Sequence, residues 1–204
     1  MPPSPLPGSV CRRVHNPACR PDEGAVRVHV LATERVAARH RRSFVDRQRY
    51  RPQQWDGVAE WETYEGKGEA WFGFEAVRDM KGLPPEILMV PLRGHTLGHA
   101  GVAIRMADAW LFHAGDAYLH HGQMNLQQPS CPIGMRLYQY IMDSDRPERR
   151  ANQVRLRELK QRHGNDVHIL CSHDTDELTA AIQRAHLCHM VSPAQSRPVF
   201  PAAQ

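Results

Sequence analysis

Three times in this chain a short apolar run ends in a cluster of glycine, histidine or aspartate. ILMVPL precedes Gly94-His95-Thr96-Leu97-Gly98-His99, AWLF precedes His113-Ala114-Gly115-Asp116, and VHILC precedes Ser172-His173-Asp174. Apolar runs this short, bounded by turn residues, read as buried strands. The clusters therefore stand at strand ends, where a rigid sheet can bring loops distant in sequence to one point. On that reading His95, Asp116 and His173 share a site. Two imidazoles and a carboxylate supply neutral nitrogen and anionic oxygen, a donor set suited to a divalent metal such as zinc. The neighbouring glycines allow the backbone the sharp turns such a site needs.

The rest of the chain mixes strands and helices. Val26, Val28 and Val30 alternate with Arg27 and His29 in a half-buried strand pattern. Thr33 then stands as the N-cap of a helix running to Arg49, with Val36, Ala37, His40 and Phe44 on one face and Arg35, Arg39, Arg42 and Arg49 on the other. Further strands are expected over 87–92, 102–106, 109–112 and 167–171, and helices over 133–142, 147–163 and 176–190. Runs of strands with helices inserted between them predict an α/β sandwich. Residues 1–24 are proline-rich and read as a disordered arm, 25–190 as the folded domain and 191–204 as a flexible tail.

A chain of 204 residues can bury about 70% of its unfolded surface, so no staples are needed. Twenty-six Lys+Arg against 22 Asp+Glu leave a net charge of only +4. The basic faces, including Arg149, Arg155 and Arg157 of the 147–163 helix, are interspersed with acids and accompany no nucleic-acid-binding motif, so no nucleic-acid partner is expected. Five cysteines without a C-x-x-C pair fit a reducing cytoplasm, and no segment is apolar enough for a membrane span. The expected partner is a small-molecule substrate.

G-H-T-x-G-H, then a strand ending in Gly115-Asp116, then one ending in Ser172-His173-Asp174, resembles the metallo-β-lactamase-fold superfamily of metal-dependent hydrolases, from about Val26 to His173. The resemblance implies an αββα sandwich with one or two zinc ions, in which metal-activated water attacks an ester, lactone or thioester-type bond. It assigns His95 to the first metal, Asp116 to a catalytic bridging position between the two and His173 to the second. Thr96 and His99 would support these ligands. Tyr118, just past the Gly-Asp turn, either lines a substrate pocket or packs. The family's upstream H-x-H-x-D-H is not found here, and only His15, His29 and His40 precede His95. The expectation is an N-terminally incomplete domain whose ions each keep two protein donors instead of the usual three. The alternative is a non-catalytic truncated remnant serving as a protein-binding module.

Overall fold

The structure, a computed structural model, describes residues 27–55, 58 and 60–191, with side chains as far as residue 184. The expected arm over 1–24, Val26 and the expected tail beyond residue 191 lie outside the described residues.

Strand β1 (Arg27–Leu31) pairs in parallel with β2 (Glu60–Tyr64), in the register Arg27 to Glu60 through Leu31 to Tyr64. Parallel partners need a crossover connection, and here helices supply it. The crossover contains two helices where the sequence suggested one: α1 (Ala32–His40) and α2 (Phe44–Arg49). Arg41 adopts a left-handed conformation (φ 37°) that ends α1. Ser43 then starts α2 with a reciprocal capping box to Asp46. Thr33 is not the cap; the cap position falls two residues earlier, at an extended Leu31, and α1 begins at Ala32. Strands β3 (Glu69–Trp71) and β4 (Phe74–Ala76) form a tight antiparallel hairpin, with Phe72 and Gly73 both at positive φ, as a two-residue turn of that hand requires.

The main sheet holds β5 (Ile87–Pro91), β6 (Ala100–Arg105), β7 (Trp110–His113) and β8 (Val167–Leu170) in that order. Its first three strands run antiparallel, and β8 lies parallel to β7. The carboxyl ends of β5, β7 and β8 therefore share one edge of the sheet. The β7-to-β8 crossover carries α3 (Ile133–Met142) and α4 (Arg146–His163), and α5 (Thr175–Val191) follows β8. Both α4 and α5 pack on β8, and α1 packs on β1 and β2. This is the α/β layering expected from alternating runs of strands and helices. None of the described helices is long and apolar enough to cross a membrane.

The core lies between the main sheet, the β3–β4 hairpin and α4. Leu88, Val90, Leu92, Ala103 and Phe112 are fully buried, and Leu156 of α4 closes over them. Trp71 sets its ring edge-on against Trp110 and Phe112, with centroids 5.5 and 5.1 Å apart. Such contacts are geometrically specific as well as apolar. Phe112 also lies one residue before His113, so its packing helps fix where β7 ends. Phe112→Ala is expected to lower stability by about 3–5 kcal/mol, measured by denaturant unfolding.

Candidate metal centre

The shared sheet edge presents three loops. The first, between β5 and β6, turns at Gly94, where φ is +133° and a Cβ would fall 2.4 Å from the Arg149 nitrogen of α4. Only glycine permits that approach. Further along, the Gly98 N–H donates to Glu34 Oε2 of α1 at 2.8 Å, and the other Glu34 oxygen accepts from the Tyr50 hydroxyl at 2.7 Å. Thr96 is buried, and its carbonyl accepts from the Gly94 N–H at 2.9 Å, closing the loop on itself.

The second loop leaves β7 through Gly115, at φ +58°, where a Cβ would lie 2.6 Å from His99 Nε2. His99 joins the first two loops. Its Nε2 accepts from the Asp116 main-chain N–H at 2.9 Å, so its Nδ1 carries the proton and donates to the Leu92 carbonyl, also at 2.9 Å. Burial, reinforced by nearby His95, holds its pKa below the ordinary histidine value. With both nitrogens engaged, His99 supports the Asp116 loop and has no lone pair free for an ion.

The third loop follows β8. Its Ser172 N–H donates to the Gly115 carbonyl at 3.0 Å. Glu177 Oε2 accepts both the Cys171 N–H at 3.0 Å and the Tyr118 hydroxyl at 2.7 Å, tying the second and third loops together. Tyr118 is fully buried, so it does not line a pocket; its ring packs in the core and its hydroxyl is committed to Glu177. Two consecutive side chains of α4 hold the loops from behind. Asn152 Nδ2 donates to the Arg93 carbonyl at 2.8 Å, and Gln153 Nε2 to the Ala117 carbonyl at 2.9 Å.

Held in this way, His95 Nε2 lies 3.4 Å from Asp116 Oδ2, and His173 Nε2 lies 3.3 Å from Asp116 Oδ1. Burial opposes ionisation of Asp116, yet the two imidazoles and a Ser172 hydrogen bond outweigh it and keep its pKa below the usual carboxylate value. Both separations are long for charge-assisted hydrogen bonds, which run at about 2.7–2.9 Å. They match two donors of one tetrahedral zinc, which at bond lengths of about 2.0–2.1 Å stand about 3.3 Å apart. The donor chemistry therefore fits zinc. His95 is the buried end of the row and His173 the open end, with side-chain exposures of 8% and 46%.

The three do not gather on one point as the strand-end argument anticipated. Among the described residues, the one group of three donors mutually within 4.8 Å is His120, His121 and Asp174. His95, Asp116 and His173 instead form a row with the carboxylate in the middle, because β6 separates β5 from β7. The His120–His121–Asp174 group has a different role. Asp174 Oδ1 accepts the N–H groups of Asp176 and Glu177, capping α5, while Oδ2 accepts both the N–H and Nδ1 of His121. Four such contacts occupy the carboxylate's acceptor sites.

No protein-family profile matches the chain. It is 36% identical over 149 residues to a protein named probable metallo-hydrolase from Mycobacterium bovis, and equally to one of the same name from Mycobacterium tuberculosis. Each match takes in 73% of this chain and 48% of the relative, so the chain spans about half the length of the curated relatives it matches. Among solved structures, an enzyme from work on the optimization of new enzyme function superposes with a TM-score of 0.51 at 17% identity, covering 76% of this chain and 49% of that one. An N-acyl homoserine lactone hydrolase, solved with its product at the catalytic metal center, superposes with a TM-score of 0.49 at 17% identity, covering 76% and 50%. Over those 149 residues the chain is similar to proteins named as metallo-hydrolases, and in fold it is similar to that first solved enzyme.

Asp174 gives a test of how the third loop is held. Burial alone would raise its pKa, but the N–H groups of His121 and Glu177 more than compensate and bring it below the usual carboxylate value. A carboxyl whose folded pKa is depressed contributes stability above its unfolded pKa and loses it as pH falls through the folded one. Asp174→Ala is therefore expected to cost about 0.5–2 kcal/mol at neutral pH, as for a lost helix cap. The gap to wild type should close in acid, as followed by thermal unfolding across pH.

Proposed function

We propose that the chain carries part of a metal-dependent hydrolase centre, with His95 a ligand on one side, Asp116 a carboxylate shared between two positions and His173 a ligand on the other. The observation that carries this reading is the pair of separations at Asp116, one imidazole nitrogen beside each oxygen at 3.4 and 3.3 Å. Zinc is the metal the donor set suits best, two neutral nitrogens and one anionic oxygen. Bound there, it would supply a water pKa lowered from about 15.7 toward 7 and positive charge for a developing oxyanion. The protein's share is positional. Asp116 sets the spacing of the two positions, His99 fixes the Asp116 main chain and Thr96 closes the loop beneath His95. The open His173 side is where a small ester, lactone or thioester would approach.

Among the described residues each proposed position has two protein donors, against the usual three plus water at a catalytic zinc. Affinity is accordingly expected to be lower than in a fully furnished centre. Free thiols at Cys131 and Cys171 suit the reducing cytoplasm proposed from cysteine usage.

A second reading, the non-catalytic protein-binding module, draws on α3. Ile133, Leu137, Tyr140 and Ile141 follow helical spacing and are all more than half exposed. Contiguous apolar surface of that kind usually meets a partner.

Elemental analysis after equilibration with zinc separates the two readings. Retained zinc in the wild type, lost in Asp116→Ala because both positions share that carboxylate, supports the metal centre. Zinc at about 100 times its dissociation constant should also stabilise the wild type by about 2.7 kcal/mol and leave Asp116→Ala unmoved. A wild-type chain that holds no zinc sinks the metal centre and leaves the module reading.

A further inference from the structure

Asp143 directly follows α3, and its side chain is wholly buried. Its Oδ2 accepts from Arg149 Nε at 2.6 Å, a charge-assisted contact between two buried groups. Arg149 thus belongs to the interior and not to the solvent-facing basic surface suggested by its helix. The other carboxylate oxygen, Oδ1, has no hydrogen-bond partner among the described residues, and neither has His95 Nδ1. These two orphaned atoms face each other at 3.8 Å. On the far side of the same ring, Nε2 lies 3.4 Å from Asp116. His95 therefore stands between two carboxylates, one in the candidate centre and one behind it.

Buried donors and acceptors are nearly always paired, and unpaired ones are costly. A ligand histidine also characteristically gives its second ring N–H to a carboxylate or carbonyl, which fixes the tautomer and aims the other nitrogen. We propose that Asp143 is the positioning residue of His95, accepting its Nδ1–H so that Nε2 keeps a lone pair turned toward the Asp116 side. The proposal rests on reading His95 as a ligand.

The surroundings hold Asp143 to that task. Ser144 N–H is shared between the Gly94 and His95 carbonyls at 2.9 and 3.2 Å, and Asp145 N–H donates to the Gly94 carbonyl at 2.8 Å. Gly94 in turn leaves no room for a Cβ against Arg149. The corner between α3 and α4 is thereby clamped to the His95 loop. Arg149 occupies one oxygen of Asp143 and so directs the other at the ring. At His99, by contrast, the Leu92 carbonyl and the Asp116 N–H already engage both nitrogens.

Two measurements on the full chain test this. Nitrogen-15 NMR of the zinc-free wild type, taken upward in pH until the His95 ring is neutral, is expected to show the Nδ1–H tautomer. An Nε2–H tautomer overturns the proposal. Zinc affinity, read by competition with a chromophoric chelator, is expected to fall 10–100-fold in Asp143→Asn. An amide there cannot accept from His95 and Arg149 at once without also presenting a donor to one of them. Asp145→Ala removes the cap that accepts from Glu148 N–H at the start of α4. It should lower the melting temperature yet leave the His95 tautomer and the zinc affinity as in wild type. Equal weakening in both variants, or unchanged affinity and tautomer in Asp143→Asn, overturns the proposal; if Asp143→Asn does not fold, the wild-type tautomer decides. A wild type with the expected tautomer that takes up no zinc keeps the Asp143 contact and sinks the metal centre alone.

Discussion

Two adjacent side chains of one helix hold the loops that carry two of the candidate ligands. Asn152 grips the Arg93 carbonyl and Gln153 the Ala117 carbonyl, each within a few residues of His95 or Asp116. Both amides are buried, and a buried amide that loses its partner bears its desolvation cost uncompensated. The contacts are therefore obligatory once Leu156 and Leu159 seat α4 on the sheet. Apolar burial decides that α4 docks, and the amides decide where the strand-end loops sit beneath it. His99 and Glu177 add the lateral links, from the first loop to the second and from the second to the third.

Sheet order then dictates the shape of the site. His95 and Asp116 leave strands separated by β6, whereas β7 and β8 are direct neighbours. Donors launched from such an edge make a row more readily than a ring. A carboxylate in the middle of a row has one oxygen for each neighbour, which is the arrangement seen at Asp116. An imidazole in that place could face only one side productively, since its second nitrogen would need a proton to stay neutral.

The strands that build this edge were legible because each is a short apolar run with turn residues at its end, and the helices over 133–142 and 147–163 because proline and glycine mark their limits. Other features were hidden for physical reasons. The break at Arg41 contains neither glycine nor proline, and its one local sign is the Ser43–Asp46 capping box that starts the next helix. Arg149 lies among exposed basic residues of α4 and differs from them because Asp143, just past the end of α3, pairs with it and because Gly94, distant in sequence, packs against its main chain. Glu34 and Glu177 look like ordinary first-turn acids, yet both reach across to hold a ligand loop. Asn152 and Gln153 look like solvent-facing helix residues. Periodicity reports which face is apolar; it does not report that a polar residue on the buried face has a carbonyl waiting for it.

The network has a consequence for how an ion would be held. Hydrogen bonds between protein groups hold the three loops, so the fold itself contributes to ordering the row at Asp116. Pre-organisation of this kind spares binding the cost of ordering its ligands. It does not add donors, and any coordination position of a bound cation that the row leaves open would be filled by water or substrate. The two effects act on different quantities. A rigid donor row favours selectivity for an ion whose ligand separations match about 3.3 Å, while the donor count limits how tightly that ion is kept. Loosening the row through a supporting residue should therefore erode the match first, and removing Asp116 should abolish both.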